Sequence, residues 1–353
     1  MRRMRGAAAM TKVTLAMGAA CDGWLSSELY LEHLHGALAA LAPDGWEFAA
    51  WSSGASGPAW LRRRVCYPLD LRRRVRGNLH LVDQSYADAL LAYGGGPSVV
   101  TVADIAFWRE RGTNPLRGLT RARIAAGLGR ARRIIAISAT TAHELETELG
   151  IAPERIRVVP FAIDPAYFFE PEALSQEMRK RIGAGPFLLH VGSLDARKGL
   201  ERFLAAFRLA PELPPLVQAG GTPDAALRAR IAAAGLAGRV HFLGKVDRPV
   251  LHSLYGAAEA LVFPSSYEGF GVPPLEARAA GARLLTTPMP SVTEALGEKA
   301  ALDPAGSAED WAEAVLQTLM RPRPGGFGKA ERARFSWERA ARDTLAVYRE
   351  AFA

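Results

Sequence analysis

The sequence predicts an α/β protein of two doubly wound domains facing a cleft, and three features carry that expectation. Short apolar runs alternate with amphipathic stretches along most of the chain, as parallel strands covered by helices do. The alternation stops at an irregular segment, Asp164 to Pro186, and then restarts. In the second half a strand runs directly into a glycine loop and a helix start, Phe263 to Glu276, at the kind of strand end where open α/β sheets bind ligands. At 353 residues the chain has the length of two domains.

The elements follow in order. Arg2, Arg3 and Arg5 precede an apolar stretch ending at Cys21, which resembles a lipoprotein signal. Lys12 interrupts that stretch and Gly18 stands where a large aliphatic residue is expected, so a frayed tail followed by a strand Val13–Met17 is the better expectation. A helix over Ser26–Leu41 follows, then strands Trp46–Trp51, Leu79–Val82, Val99–Val102 and Ile134–Ile137. Ser138 can cap a helix Ala139–Leu149 that Gly150 ends, and Ile156–Val159 is a further strand. Asp164-Pro165 through Gly183-Ala184-Gly185-Pro186 holds at most one polar helix and is the expected linker. Strands Phe187–Val191, Leu216–Ala219, Val240–Leu243, Ala260–Phe263 and Arg283–Thr286 then alternate with helices such as Leu200–Leu209 and Pro249–Ala257. Residues 1–165 are expected to form the first domain and 166–335 the second. Trp337–Phe352 reads as a helix outside the second domain's alternation, so residues 336–353 are expected to pack back toward the first domain.

Composition excludes several classes. No apolar run approaches the ~18 residues of a membrane span. Two cysteines, Cys21 and Cys66, make neither a disulfide framework nor a metal cluster, and suit a cytoplasmic protein. The net charge of +8 is uneven: residues 60–135 hold 15 arginines against 5 acids, Asp70, Asp83, Asp88, Asp104 and Glu110. Such a field attracts polyanions or an anionic membrane surface. No nucleic-acid motif accompanies it and few aromatics are interleaved, so nucleic acid is not an expected partner.

The chemistry concentrates in two segments. Phe263-Pro-Ser-Ser-Tyr-Glu-Gly-Phe-Gly-Val-Pro-Pro-Leu-Glu276 reads as a strand, a loop holding Gly269 and Gly271, and a helix whose first turn tolerates Pro273 and Pro274. That arrangement aims backbone amides at phosphate oxygens. It is neither a Walker loop nor a GxGxxG fingerprint. Glu268 precedes the loop, and Glu276 is expected in the helix's first turn. A carboxylate accepts two hydrogen bonds side by side and so suits a vicinal diol, of which a nucleotide sugar offers two, with its diphosphate between. Taken singly, Glu268 would be an exposed loop acid and Glu276 a dipole-stabilising helix acid. The second segment, Leu188-Leu-His-Val-Gly-Ser-Leu-Asp-Ala-Arg-Lys-Gly-Leu200, ends a strand and continues as a loop in which Arg197 and Lys198 are expected to open the next helix, at the strand's carboxyl end. Fixed cations there would neutralise a departing diphosphate without a metal; singly, they would be a solvated basic pair. No Asp-x-Asp occurs to hold a divalent cation, so no metal is expected. His190 lies within the strand and reads as a satisfied core histidine.

Glu268 and Glu276, with seven residues between, resemble the E-x7-E motif of retaining glycosyltransferase family 4, the glycosyl transferases group 1, which have the GT-B fold. Further segments resemble that family: Ile134-Ile-Ala-Ile-Ser138 through Pro153–Pro160 and Asp164, Val191-Gly192 with Arg197-Lys198-Gly199, Leu243-Gly-Lys-Val246, and Phe335-Ser-Trp-Glu-Arg-Ala-Ala341. The resemblance implies that Glu268 contacts the transferred sugar and Glu276 the ribose. Gly269, Phe270 and Gly271 would offer backbone contacts, Arg197 and Lys198 would meet the diphosphate, and Val246 would lie against the base. Three departures stand out. Ser193 follows Gly192 where many members carry Arg. Ala103 precedes Asp104 where the family usually has His. The N-terminal glycine-rich loop is reduced to Cys21-Asp22-Gly23-Trp24. The resemblance implies a cofactor-free, metal-independent, retaining hexosyltransferase. It would use a nucleotide-diphosphate sugar, with mannose suggested by Arg-Lys-Gly, and a glycan or lipid-linked acceptor in envelope or exopolysaccharide synthesis. The first domain would be the acceptor-binding one, and the second would bind the nucleotide sugar. Its place would be the cytoplasm or the inner face of the membrane. The alternatives are an epimerase of the same fold and, from Ala103, an inactive GT-B protein that binds a nucleotide or polyanion.

Overall fold

The structure, a computed structural model, describes residues 10–18, 25–41, 45–109, 115–297, 302–303 and 305–352. It divides into two compact units, Met1–Ala162 with Phe335–Ala353, and Ile163–Arg334.

The first unit is built on six parallel strands: β1 (Thr11–Ala16), β2 (Trp46–Trp51), β3 (Asn78–Leu81), β4 (Ser98–Val102), β5 (Arg133–Ala136) and β6 (Ile156–Val158), in the order β2-β1-β3-β4-β5-β6. β1 is an interior strand, with Val13 opposite Phe48 on one side and Asn78 on the other. Val13 and Leu15 are fully buried, so the apolar residues of β1 belong to the core of this unit. The helix Leu25–Leu41 presents Leu31, Leu34 and Leu38, three and four apart, to the sheet. Beside it packs the C-terminal helix Trp337–Phe352, which buries Ala341, Thr344, Leu345 and Tyr348 in the same core. The Tyr348 hydroxyl lies 2.7 Å from Nδ1 of His80, whose Nε2 lies 2.8 Å from Thr101 Oγ1. Burial pushes the His80 pKa down to about 3, so the ring is neutral, with one nitrogen donating and the other accepting. Glu350 at the end of this helix pairs with Arg133 at 3.1 Å and Arg157 at 2.7 Å.

The second unit holds five parallel strands: β7 (Leu188–Val191), β8 (Leu216–Ala219), β9 (Val240–Gly244), β10 (Ala260–Phe263) and β11 (Arg283–Thr286). Their order is β11-β10-β7-β8-β9. The chain therefore starts mid-sheet, runs outward through β8 and β9, and returns to β7's other side as β10. The loops after β7 and β10 leave the same end of neighbouring strands in opposite directions, which is the switch-point geometry of open α/β sheets. The helix Leu200–Leu209 buries Leu200, Phe203, Leu204 and Phe207 against the sheet, and Ala308–Met320 adds Trp311 and Val315.

Two expectations change. Residues 163–186 are not a free linker but part of the second unit. Asp164 caps the short 3-10 helix Pro165–Phe168 and pairs with Arg248 at 3.0 Å, while Tyr167 is buried with its ring 4.8 Å from His252. Irregular composition concealed these anchors, because a single tyrosine and a single aspartate carry no periodicity. Arg197 and Lys198 do not open the following helix; they occupy a separate 3-10 turn, Ala196–Lys198, ahead of Gly199. Among the described residues no helix is long and apolar enough to cross a membrane.

Tyr348→Phe removes one partner of a buried ring nitrogen and is expected to cost about 1–3 kcal/mol. The check is the urea midpoint of the first unit's transition; an unchanged midpoint would show that the hydroxyl does not help to dock the terminal helix.

Candidate active site

The site is built where β7 and β10 end. After β7, Gly192 turns the chain at φ 139°, and Ser193 Oγ donates to Asp195 Oδ2 at 2.6 Å. Gly199 then adopts φ 70°, and a Cβ there would stand 2.1 Å from the carbonyl oxygen of Pro264. Only glycine permits this approach, because its neighbour is backbone. Around the contact the two loops are stitched together: Ser266 N–H donates to the Arg197 carbonyl at 2.8 Å, and Arg197 Nη1 donates to the Tyr267 carbonyl at 3.3 Å.

That stitching brings together three residues expected from the sequence. Lys198 Nζ donates to Glu268 Oε1 at 2.6 Å, and Arg197 Nη1 lies 3.4 Å from the same oxygen. The Glu268 side chain is 11% exposed and Lys198's 9%, while Arg197's is 35% exposed. Glu268 is thus not an exposed loop acid, and Lys198 is not a solvated base: the pair is held with little water around it, and Lys198 Nζ also sits 5.4 Å from the Phe263 ring centre. Ser291 Oγ donates to the Glu268 carbonyl at 2.7 Å, fixing the loop from the other side. The Phe270 ring is buried, which confines any ligand contact at that residue to its backbone, and Gly271 at φ 88° starts the helix Val272–Ala279.

Glu276 departs from expectation. The helix begins at Val272, so Glu276 lies in its second turn and is not an N-terminal acid. Its carboxylate is buried, and Tyr255 Oη donates to Oε2 at 3.1 Å. Burial raises the Glu276 pKa to about 7, against the pull of Arg248 and the Tyr255 hydrogen bond. Tyr167, Arg248 and Asp164 complete this cluster, and the Tyr167 hydroxyl is buried without a hydrogen-bond partner. A carboxylate braced at one oxygen has its other oxygen available for a hydroxyl pair.

The remaining expected residues are dispersed. Val246 is half-buried in the turn between β9 and the helix Arg248–Ala257. Asp104 belongs to the first unit, beyond β4, where Oδ1 accepts from Ala106 N–H at 2.9 Å. Gln84 braces that segment, its Oε1 accepting from Ala103 N–H at 3.2 Å and its Nε2 donating to the Asp104 carbonyl at 3.1 Å. Gly23 and its loop lie outside the described residues. His190 is buried, with Nε2 3.4 Å from the Lys198 carbonyl and Nδ1 without a partner, so it is only half satisfied. Burial lowers its pKa to about 4, and the neutral ring supports the Lys198 turn.

Sequence reasoning missed Gln218, Tyr255, Arg248 and Ser291. Gln218 Nε2 donates to the Gly192 carbonyl at 2.7 Å and ties the first loop to β8. A polar residue inside the apolar run Leu216–Ala219 was the available signal for Gln218; the other three sit in ordinary helical patterns that give none.

The fold is that of the GT-B glycosyltransferases. Sucrose-phosphate synthase from Thermosynechococcus elongatus superposes with a TM-score of 0.74 at 21% identity, over 97% of this chain and 99% of that one. Residues 175–336 match the family model for glycosyl transferases group 1, and residues 35–167 match that for glycosyltransferase family 4. The chain belongs to this family, glycosyltransferase family 4 or glycosyl transferases group 1. D-inositol 3-phosphate glycosyltransferase of Jonesia denitrificans is 31% identical over 238 residues, which are 61% of this chain and 56% of that protein. O-antigen chain mannosyltransferase B of Escherichia coli is 26% identical over 234 residues, 63% of this chain and 61% of that protein. The match thus spans somewhat more than half the length of these relatives.

A buried acid whose folded pKa is raised from 4.5 to about 7 contributes stability that is fully present below pH 4.5 and is lost as pH rises through 7. Glu276→Gln is therefore expected to leave stability nearly unchanged at pH 4.5 and to raise it by about 3 kcal/mol at pH 8. Thermal melts of both proteins across that range test this, and a difference independent of pH would refute the buried charge.

Proposed function

We propose that this protein is a metal-independent, retaining hexosyltransferase. It moves a sugar, mannose by preference, from a nucleotide-diphosphate donor to a hydroxyl of a glycan or lipid-linked acceptor in envelope or exopolysaccharide synthesis. The observation that carries the reading is the junction of Lys198, Arg197 and Glu268 at the switch point of the second sheet, with the buried Glu276 in the helix that follows. The names of the relatives, an inositol-phosphate glycosyltransferase and an O-antigen mannosyltransferase, support it.

In this reading the second unit holds the donor and the first, through Asp104 and the loop at Gly23, the acceptor side. Glu276 takes the ribose hydroxyls on the carboxylate oxygen that Tyr255 leaves available. Val246 borders the base. Backbone at Gly192 and Ser193 and at Gly269 and Gly271 comes close to the diphosphate, and Glu268 accepts from hydroxyls of the sugar. As the bond between the anomeric carbon and the β-phosphate oxygen breaks, its electron pair stays with the phosphate. Lys198 and Arg197, already oriented by Glu268, meet that growing charge. The acceptor oxygen attacks from the same face, and its proton passes to the departing phosphate. No separate protein base is then required. A lipid-linked acceptor would be met at the inner face of the cytoplasmic membrane.

A second reading, an inactive GT-B protein that binds nucleotide or polyanion, draws on Ala103, whose methyl stands where the family usually has an imidazole. Donor hydrolysis separates the two: slow release of nucleoside diphosphate marks an enzyme, and tight binding without release marks a binding protein.

Two outcomes are expected of the transferase. Arg197→Ala and Lys198→Ala lower kcat by about 10²–10³ with little change in KM, because their charges matter most in the transition state. Wild-type kcat in both variants, with the true donor, would refute the assignment. Chelator leaves turnover unchanged; loss of activity that Mg²⁺ or Mn²⁺ restores would overturn the metal-free mechanism.

A further inference from the structure

Five of the ten exposed large hydrophobic side chains among the described residues, Trp60, Val65, Leu69, Leu116 and Leu119, fall on two helical segments of the first unit. These are the run of residues 59–74, formed by Ala59–Leu61, Arg62–Cys66 and Tyr67–Arg74, and the helix Pro115–Arg130. Trp60 is 68% exposed, Leu116 68% and Leu119 59%. In the run, the π turn Arg62–Cys66, closed by Tyr67 N–H on the Arg62 carbonyl, widens the repeat. Trp60 and Val65, five apart, therefore share a side, and Leu69 follows four residues on. The opposite side, Tyr67, Pro68 and Leu71, is buried, with the Tyr67 ring 4.4 Å from Tyr86.

The two segments are fastened to the same support, the 3-10 helix Gln84–Leu91. Arg64 Nη1 meets Asp88 Oδ1 at 2.7 Å, and Arg123 Nε approaches Asp88 Oδ2 at 3.7 Å. Gly127 lets the second helix press onto the support, since a Cβ there would lie 2.0 Å from the Ala87 carbonyl oxygen. The Asp88 side chain is fully buried between them. Residues 59–76 and 115–133 together hold 13 arginines and one acid, Asp70. Asp70 is half-buried and accepts from Ser53 Oγ at 2.7 Å. Arg72, Arg73, Arg74, Arg76, Arg117 and Arg130 are exposed.

We infer that this surface seats the first unit on an anionic lipid bilayer, with Trp60, Val65, Leu69, Leu116 and Leu119 entering the interface and the arginines meeting lipid phosphates. Apolar side chains amid a large excess of cations fit that boundary on both counts: acyl chains take the former, anionic headgroups the latter. Arginine also keeps its charge at every pH and grips phosphate through two parallel hydrogen bonds. Trp60 suits the headgroup level because its ring is apolar and its indole N–H polar. A nucleic-acid partner would use the arginines but leave the leucines facing water. The inference goes beyond the transferase reading, because it concerns the first unit and stands whether or not the second transfers a sugar.

The test is cosedimentation of the full chain with phosphatidylcholine vesicles, with or without about 30 mol% phosphatidylglycerol, at low and high salt. Binding to the anionic vesicles is expected to exceed binding to the neutral ones at least ~10-fold and to weaken with salt. Trp60→Ser with Leu69→Ser should lower it by about 10-fold without altering the thermal melt or donor hydrolysis, since both side chains are exposed. Quenching by lipids brominated along the acyl chain should be greater in the wild type than in Trp60→Phe, which keeps an aromatic ring and removes that indole. Absence of anionic-vesicle binding at low salt, binding unchanged in the double variant, or equal quenching in Trp60→Phe would each overturn the inference. So would tighter binding to an RNA oligonucleotide than to the anionic vesicles.

Discussion

Gly199 lies against the Pro264 carbonyl so closely that no side chain fits between them, and the rest of the candidate site hangs on that contact. The sheet makes it available by setting β10 beside β7, so that two loops far apart in sequence leave adjacent strand ends. The contact then fixes the distance between Lys198 and Glu268, seventy residues apart, at hydrogen-bonding range. A bulkier residue would push the loops apart and leave both charges half-buried without partners, a far worse arrangement than either the paired or the fully solvated one. Backbone proximity comes first here, and the ion pair is its consequence.

The two glutamates of the motif are held by opposite electrostatic arrangements. Glu268 shares one oxygen between an ammonium and a guanidinium, so its charge is compensated in place. Glu276 is buried with a neutral tyrosine as its hydrogen-bond donor, and burial pushes it toward the protonated form. The first arrangement orients cations; the second keeps a carboxylate in surroundings that disfavour its charge, at a cost in stability near neutral pH. A hydroxyl pair hydrogen-bonding to Glu276 would return part of what desolvation removes. Tyr255 and Arg248 lie on the same helix, Arg248–Ala257, and Asp164 extends the cluster to the segment entering the second unit.

In the first unit, the chain's last helix completes a core begun by its first strand. Tyr348 reaches His80 and Thr101 through one buried polar chain, while Glu350 collects two arginines at the rim. Elsewhere in this unit arginine is used differently: Arg64 and Arg123 converge on Asp88 to fasten two helices, and their neighbours stay exposed. The same residue type thus both builds the surface and charges it.

The parallel strands and their covering helices could be read from the sequence because apolar periodicity is a local property: β2, β8, β10 and β11 and the helices Ala139–Leu149, Leu200–Leu209 and Trp337–Phe352 span the residues the pattern marks. That Glu268, Arg197 and Lys198 belong to one site was suggested by residue type and by position at strand ends, and by resemblance; their direct pairing was not. The terminal helix's return to the first unit was suggested by its place outside the second domain's alternation, and by resemblance. Strand order is a long-range property, and so are the depth of Glu276, the anchoring of residues 163–186 by Tyr167 and Asp164, and the support of Gly192 by Gln218. Each depends on which surfaces meet after the chain has turned, and single polar side chains leave no periodic trace of where they will be buried. Sequence alone determined which residue types stand at the strand ends; only the tertiary structure decided which of them touch, because desolvation and pairing are set by neighbours distant along the chain.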